Sequence, residues 1–212
     1  PAIATLFTGI HNTAMDASAG YIPSWVDFSM AKLLKEVGYQ THAIVDNVIV
    51  EPRVGFGTGF DSYFQRSGFR FVFSLPGFRL FPQLVHNYLR GLFEISYFGA
   101  EGITDKAIEL INTPPESADE PLFLFVQYMD PHAPYYPHFD ISPDPAASED
   151  VDYYHFRDLL RADSPQKPTD GQLLRLQHRY RNEIRYTDRH VGRLLKAWKK
   201  RFGEHSMIML VS

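Results

Sequence analysis

The feature that most limits what this chain can fold into is the apolar run Leu122 to Met129, which stops abruptly at Asp130-Pro-His-Ala-Pro-Tyr-Tyr-Pro-His138. Phe, Val and Tyr follow one another there with almost no polar alternation. That pattern suits a strand covered on both faces, as in the parallel sheet of an α/β protein. Pro131, Pro134 and Pro137 then forbid further ladder or helix pairing and keep the chain extended. Asp130, His132 and His138 are thereby presented outside the carboxyl end of a strand, where α/β sheets bind their ligands. A plainer reading makes Asp130 a turn cap and both histidines ordinary surface residues.

With 212 residues the chain can bury one sizeable core. A formal net charge of -4 and no basic stripe argue against nucleic acid as a partner. The short run Lys199-Lys-Arg201 sits where a helix should end, and there it complements the helix dipole. No cysteine is present, so neither a disulfide framework nor a thiolate metal site is available within these residues. No signal peptide and no membrane-spanning segment is visible. Ser206-Met-Ile-Met-Leu-Val-Ser212 reads as a strand with nothing after it, and Pro1 opens a helix whose cap would precede it. The expectation is an internal piece of a longer protein.

In chain order, Pro1-Ala-Ile-Ala-Thr-Leu-Phe-Thr-Gly9 reads as a short helix with Pro at its first position and Gly closing it. Its free amide groups could serve an anion, or it could simply begin the domain. Ser24-Trp-Val-Asp27 resembles a capping box for a helix carrying Val26, Met30, Leu33, Leu34 and Val37 and closed by Gly38. Thr41 to Val45 follows as a strand, with His42 packed or hydrogen-bonded inside it and Asn47 placed at its carboxyl end to reach a ligand. Val54-Gly-Phe-Gly-Thr-Gly-Phe-Asp61 lacks the lysine and hydroxyl of a P-loop. It reads as a connector whose phenylalanines dock on the core. Phe69 to Phe98 is aromatic with scattered Arg, with a helix expected near Leu84 to Phe93. It could line a cleft or meet a membrane surface or partner.

Ile103, Ala107, Ile108 and Ile111 mark a helix ended by Pro114-Pro115. It leads into Leu122 to Met129, taken as the central strand. Phe139 to Thr169 is a polar excursion, and its acids, from Asp140 to Asp152, lack the spacing of a calcium loop. Gln172 to Phe202 is the longest helix. Leu173, Leu176, Tyr180, Ile184, Thr187, Val191, Leu194 and Trp198 are spaced as its core face, and Glu183, Arg185, Asp188 and Arg189 are placed to pair along it. His178 and His190 do not form an i, i+4 metal pair. Met207 to Val211 should complete a third α/β step.

Several of these pieces, in this order, resemble the sulfatase family. Pro1 to Gly9 is similar to the segment just after the family's nucleophile, and Leu33-Leu-Lys-Glu-Val-Gly-Tyr-Gln-Thr41 to its helix-to-strand turn. Gly57-Thr-Gly-Phe-Asp61 resembles its Gly-Phe-Asp turn, and Leu124-Phe-Val-Gln-Tyr-Met-Asp-Pro-His-Ala-Pro-Tyr135 its histidine strand. Tyr180-Arg-Asn-Glu-Ile-Arg-Tyr-Thr-Asp-Arg-His-Val-Gly-Arg-Leu-Leu195 looks like its long helix. The likeness leaves out roughly residues 62 to 100 and 139 to 170, read as insertions or loops in a single partial catalytic domain spanning 1–212.

The resemblance implies the alkaline-phosphatase-like α/β sandwich, a largely parallel sheet with helices on both faces. It implies hydrolysis of a small-molecule or glycan sulfate ester at a divalent cation, usually calcium, by a formylglycine made from Cys or Ser upstream of Pro1. By position, His132 would bind the sulfate or protonate the leaving oxygen. Asp130 would shape the turn or orient His132, and Asn47 and His138 would contact substrate. No metal ligand of the family falls inside the chain, so these residues alone are expected to be inactive. Two departures matter. Ile3 stands where the family carries Arg, and Asn47 where many members have Lys and His. They keep open a phosphodiesterase or phosphoglycerol transferase of the same architecture, and a non-catalytic member binding an anionic glycan.

Overall fold

A computed structural model describes residues 2–15, 22–24, 26–47, 49–65, 99–113, 120–133, 135, 138, 140–141, 159 and 167–211. The expectations for Phe69 to Phe98, Pro114-Pro115 and most of 139–169 lie outside them. The chain divides into two compact units, 1–128 and 129–212.

The first unit is a parallel α/β layer. Helices α1 (Ala2–Thr8), α2 (Asn12–Met15) and α3 (Met30–Glu36) lead to strand β1 (Gln40–Val45). Strand β2 (Ser62–Gln65), helix α4 (Ala100–Asn112) and strand β3 (Leu122–Gln127) follow. The sheet order is β2-β1-β3 and both pairings are parallel. His42 lies abreast of Ser62 and Leu124, and Val45 abreast of Gln65 and Gln127. Among the described residues β1, rather than β3, is therefore the middle strand. β3 is half-buried at every position, because among the described residues only one of its edges is paired. β2 also falls inside the span read as an insertion, so that span begins with a strand of the sheet.

Ala4, Phe7, Met15, Val26, Ala43, Val45, Val50 and Phe56 form one buried apolar cluster. Phe7 is its hub, with ring centroids 4.7 Å from Phe125, 5.6 Å from Phe60 and 6.2 Å from Phe56. Ile44 is as buried as Val45 yet lies outside that cluster, which places apolar cover on both faces of β1. α4 packs on β1 and β3 and buries Ile103, Ala107 and Ile111, as its spacing foretold.

α1 closes at Gly9, whose amide donates to Thr5 O, and it has only seven residues. α3 starts later than the Ser24 box suggests. Its N-cap is Ser29, whose hydroxyl accepts from the Lys32 amide. Val26 is drawn into the core ahead of the helix, and Asp27 instead forms an exposed ion pair with Lys32. At the other end Gly38 and Tyr39 donate to Lys35 O and Leu34 O, the paired bonds of a Schellman closure.

The glycine-rich connector is structural. Ser29 Oγ donates to Thr58 O at 2.6 Å. Gly59, at φ +88°, lies so close beneath the start of α3 that an added Cβ would be 2.1 Å from the Lys32 amide nitrogen. Asp61 then ties the turn to β1, its carboxylate accepting from the Thr41 amide at 2.8 Å and the Thr41 hydroxyl at 3.0 Å and facing Lys35 Nζ at 2.6 Å. Desolvation pushes its pKa up, but the Lys35 ammonium and the Thr41 donors outweigh that and hold it below the usual carboxylate value.

In the second unit, helix α5 (Asp170–Phe202) opens with a complete capping box between Thr169 and Gln172, ends at Gly203, and carries Lys199, Lys200 and Arg201 in its last turn. The face it buries is not the apolar stripe. Arg175, Arg179, Asn182, Glu183, Tyr186 and His190 are the buried residues, about 100° around an ideal helix from the stripe read from sequence. Tyr180 and Ile184 of that stripe are exposed. Met207 to Val211 forms no strand: it is exposed, and no ladder among the described residues offers it partners.

Candidate functional site

The candidate residues sit at two strand ends, each fixed by local hydrogen bonds. In the first unit β1 ends at Val45, and Asp46, buried, donates its amide to Gln127 O at 3.2 Å. Asn47 follows, half-buried. Its side-chain oxygen accepts from the Ile49 amide at 2.9 Å, an Asx turn, so the side chain's donor group is its amide NH2. Its carbonyl accepts from Gln65 Nε2 at 3.0 Å, anchoring this turn to the neighbouring strand end. His42, three residues before the end of β1, has Nδ1 2.6 Å from Ser62 Oγ, and burial lowers its pKa despite the opposing pull of Asp61. It belongs to the strand pairing, as its position within β1 suggested.

The second unit begins where the apolar run gives out. The His132 amide donates to Met129 O at 2.7 Å, closing a turn through Asp130 and Pro131. His132 itself is exposed, and its Nδ1 donates to Ala133 O at 2.6 Å. That bond fixes both the ring and the tautomer: with the proton on Nδ1, the neutral ring offers a lone pair at Nε2, and the imidazolium offers an N–H there. The Ala133 carbonyl therefore orients the ring. Asp130 is half-buried, and its Oδ2 is a buried oxygen without a hydrogen-bond partner. Such an atom is costly unless a donor or cation reaches it.

His138 has a different environment. It is only 6% exposed, its Nε2 lies 3.0 Å from Glu183 Oε2, and its ring stacks on Tyr186 with centroids 3.9 Å apart and 12° between planes. Glu183 is 1% exposed. Beyond it Tyr186 meets His190 edge-on at 4.5 Å, and Arg193 donates to His190 Nδ1 at 2.9 Å. At the surface Arg189 pairs with Asp140 at 2.6 Å, and Tyr135 leans on Tyr180 at 5.2 Å. Glu183 and Arg189 thus reach back to the segment after His132, where sequence reasoning had paired them along their own helix. The signal was present in the polar residues 175, 179, 182, 183, 186 and 190, which recur at helical spacing as well as the apolar ones do.

Among the described residues no three His, Asp or Glu come together as a metal-binding group. No helix is long and apolar enough to cross a membrane among those residues.

The chain matches none of the curated proteins. The family model for sulfatases matches residues 1–212, the spans read as insertions included. A parallel sheet between helices, with the histidine turn leaving a strand's carboxyl end, agrees with the alkaline-phosphatase-like α/β fold of that family. On this evidence the chain belongs to the sulfatase family, a family of hydrolases.

Proposed function

We propose that the protein containing this chain hydrolyses a sulfate ester, of a small molecule or a glycan, with His132 at the leaving oxygen. The observation that carries this reading is the state of His132: exposed, just past β3, and held through Nδ1 so that Nε2 alone faces outward. As an imidazolium it donates that N–H to the bridging oxygen while the S–O bond breaks, so the departing alcohol leaves neutral. Before the reaction the same N–H is a charge-assisted donor to a sulfate oxygen. Asn47 is proposed as a neutral donor to the anionic group through its NH2. Asp130 suits the opposite partner, a substrate hydroxyl or other donor, since its bare carboxylate oxygen would repel a sulfate. His138 is proposed to serve the substrate only indirectly, because both its burial and its bond to Glu183 keep its ring from a ligand.

The divalent cation, calcium by family resemblance, would neutralise charge on the transferred group, and a formylglycine would supply the nucleophile. Neither has its residues among those described, and no step above runs through either.

Ile3 and Asn47 support a second reading, in which the same residues serve a phosphodiester. Steady-state turnover of an aryl sulfate and an aryl phosphodiester by the full-length protein, with and without chelator, separates the two. Chelator-sensitive turnover of the sulfate is expected. Turnover of the phosphodiester alone would overturn the sulfatase reading, and no turnover of either by metal-loaded protein would favour a binding role.

A further inference from the structure

We infer that Glu183 is a positioning residue for His132, acting through His138; this rests on the reading of His132 given above. Five residues separate His132 from His138, two of them proline, a residue type whose ring removes much of a chain's freedom to bend. At one end of this link is the turn closed by the His132 amide on Met129 O. At the other end is the buried contact of His138 with Glu183, 3.0 Å apart, with the ring laid flat on Tyr186. Glu183 and Tyr186 lie three apart on one face of α5, so a single turn of that helix holds His138 through a hydrogen bond and through stacking. The buried contact with Glu183 and the stacking on Tyr186 together fix where His138 can sit. His132, itself exposed and bonded only to its own loop among the described contacts, inherits its place from that anchor.

The test compares Glu183→Gln and His138→Phe, each in the native and the His132→Ala background of the full-length protein, assayed on an aryl sulfate. His138→Phe keeps the stacking surface and removes the bond. Each variant is expected to lower kcat at least tenfold with KM changed less than threefold, and to have less than a twofold further effect once His132 is alanine. Equal losses in both backgrounds, or a lowered melting temperature with kcat unchanged, would mean that the pair serves stability alone and would overturn the inference. Amide hydrogen exchange gives a reading independent of catalysis. Exchange across residues 129–133 is expected to quicken at least tenfold in Glu183→Gln while residues 191–202 are unaffected. Unchanged protection of 129–133 overturns the inference, whereas absence of turnover in the unmutated protein overturns only the proposed reaction.

Discussion

Gly59→Ala should be among the most damaging single-methyl additions in the first unit. At φ +88° an L side chain is strained, at a cost of about 1–2 kcal/mol by the general penalty for left-handed backbone. The same penalty applies to Gly38, at φ +91°, but there a new Cβ meets nothing within 4 Å. At Gly59 it would lie 2.1 Å from Lys32 N, 2.4 Å from Lys32 Cα and 2.8 Å from the Ala31 carbonyl carbon. All three are backbone atoms in the first turn of α3, so no rotamer change relieves the overlap; the helix start must lift. Overpacking of that kind typically adds about 1–3 kcal/mol. Lifting α3 also strains the Ser29 hydroxyl bond to Thr58 O, which spans the same approach. The total is about 2–5 kcal/mol for Gly59→Ala against about 1–2 kcal/mol for Gly38→Ala. Urea unfolding of the two variants beside the parent protein measures the difference directly, provided the slope is unchanged. If Gly59→Ala costs no more than Gly38→Ala, the close approach of turn and helix is wrong, and so is the account of why this loop carries glycine.

Other outcomes follow from the site and its supports. His132→Ala in the full-length protein should lower turnover by about 10²- to 10⁴-fold, the usual worth of a general acid, and parent-like turnover would remove His132 from the reaction. Asp61 has a folded-state pKa below its ordinary value, so its contribution to stability is complete above that ordinary value and is lost as pH falls through the folded one. His42, whose folded pKa is lowered by burial, likewise favours the fold when neutral and opposes it once acid conditions charge it. Asp61→Asn should therefore flatten the acid side of a stability-against-pH curve, and an unchanged acid limb would refute that role. Thr169→Ala breaks the capping box of α5 and should cost about 1 kcal/mol, read as a lowered thermal midpoint with turnover retained; no shift would mean the box contributes nothing.

What could be read from sequence was whatever local chemistry decides. Gly9 and Gly38 closed their helices where expected, because a closing glycine acts within a few residues of itself. The parallel character of the sheet was legible in the uniform apolarity of Leu122 to Gln127, but not the order of its strands, which depends on pairings some 80 residues apart. The start of α3 was misplaced because two serines compete for the cap, and only tertiary packing of Val26 selects Ser29. At the candidate site, His132 could be located from its place after a strand and among prolines. The contrast between His132 and His138 could not, since it is created by Glu183, 45 residues further on. The face of α5 was misjudged for a related reason. Apolar periodicity names a core only when the surroundings are apolar, and this helix is met by a histidine and its neighbours.

That polar burial has a thermal consequence. Exposing apolar surface on unfolding raises heat capacity by about 0.45 cal/K/mol per Å², whereas exposing polar surface lowers it by about 0.26. A helix whose inward side is Arg175, Arg179, Asn182, Glu183, Tyr186 and His190 adds less to the heat-capacity increment than a leucine-faced helix of the same 33 residues. Its grip on neighbouring chain should fade less on cooling than contacts made by apolar burial. The segment carrying His132 is thus fastened by the part of the molecule whose strength varies least across a cold-to-warm range.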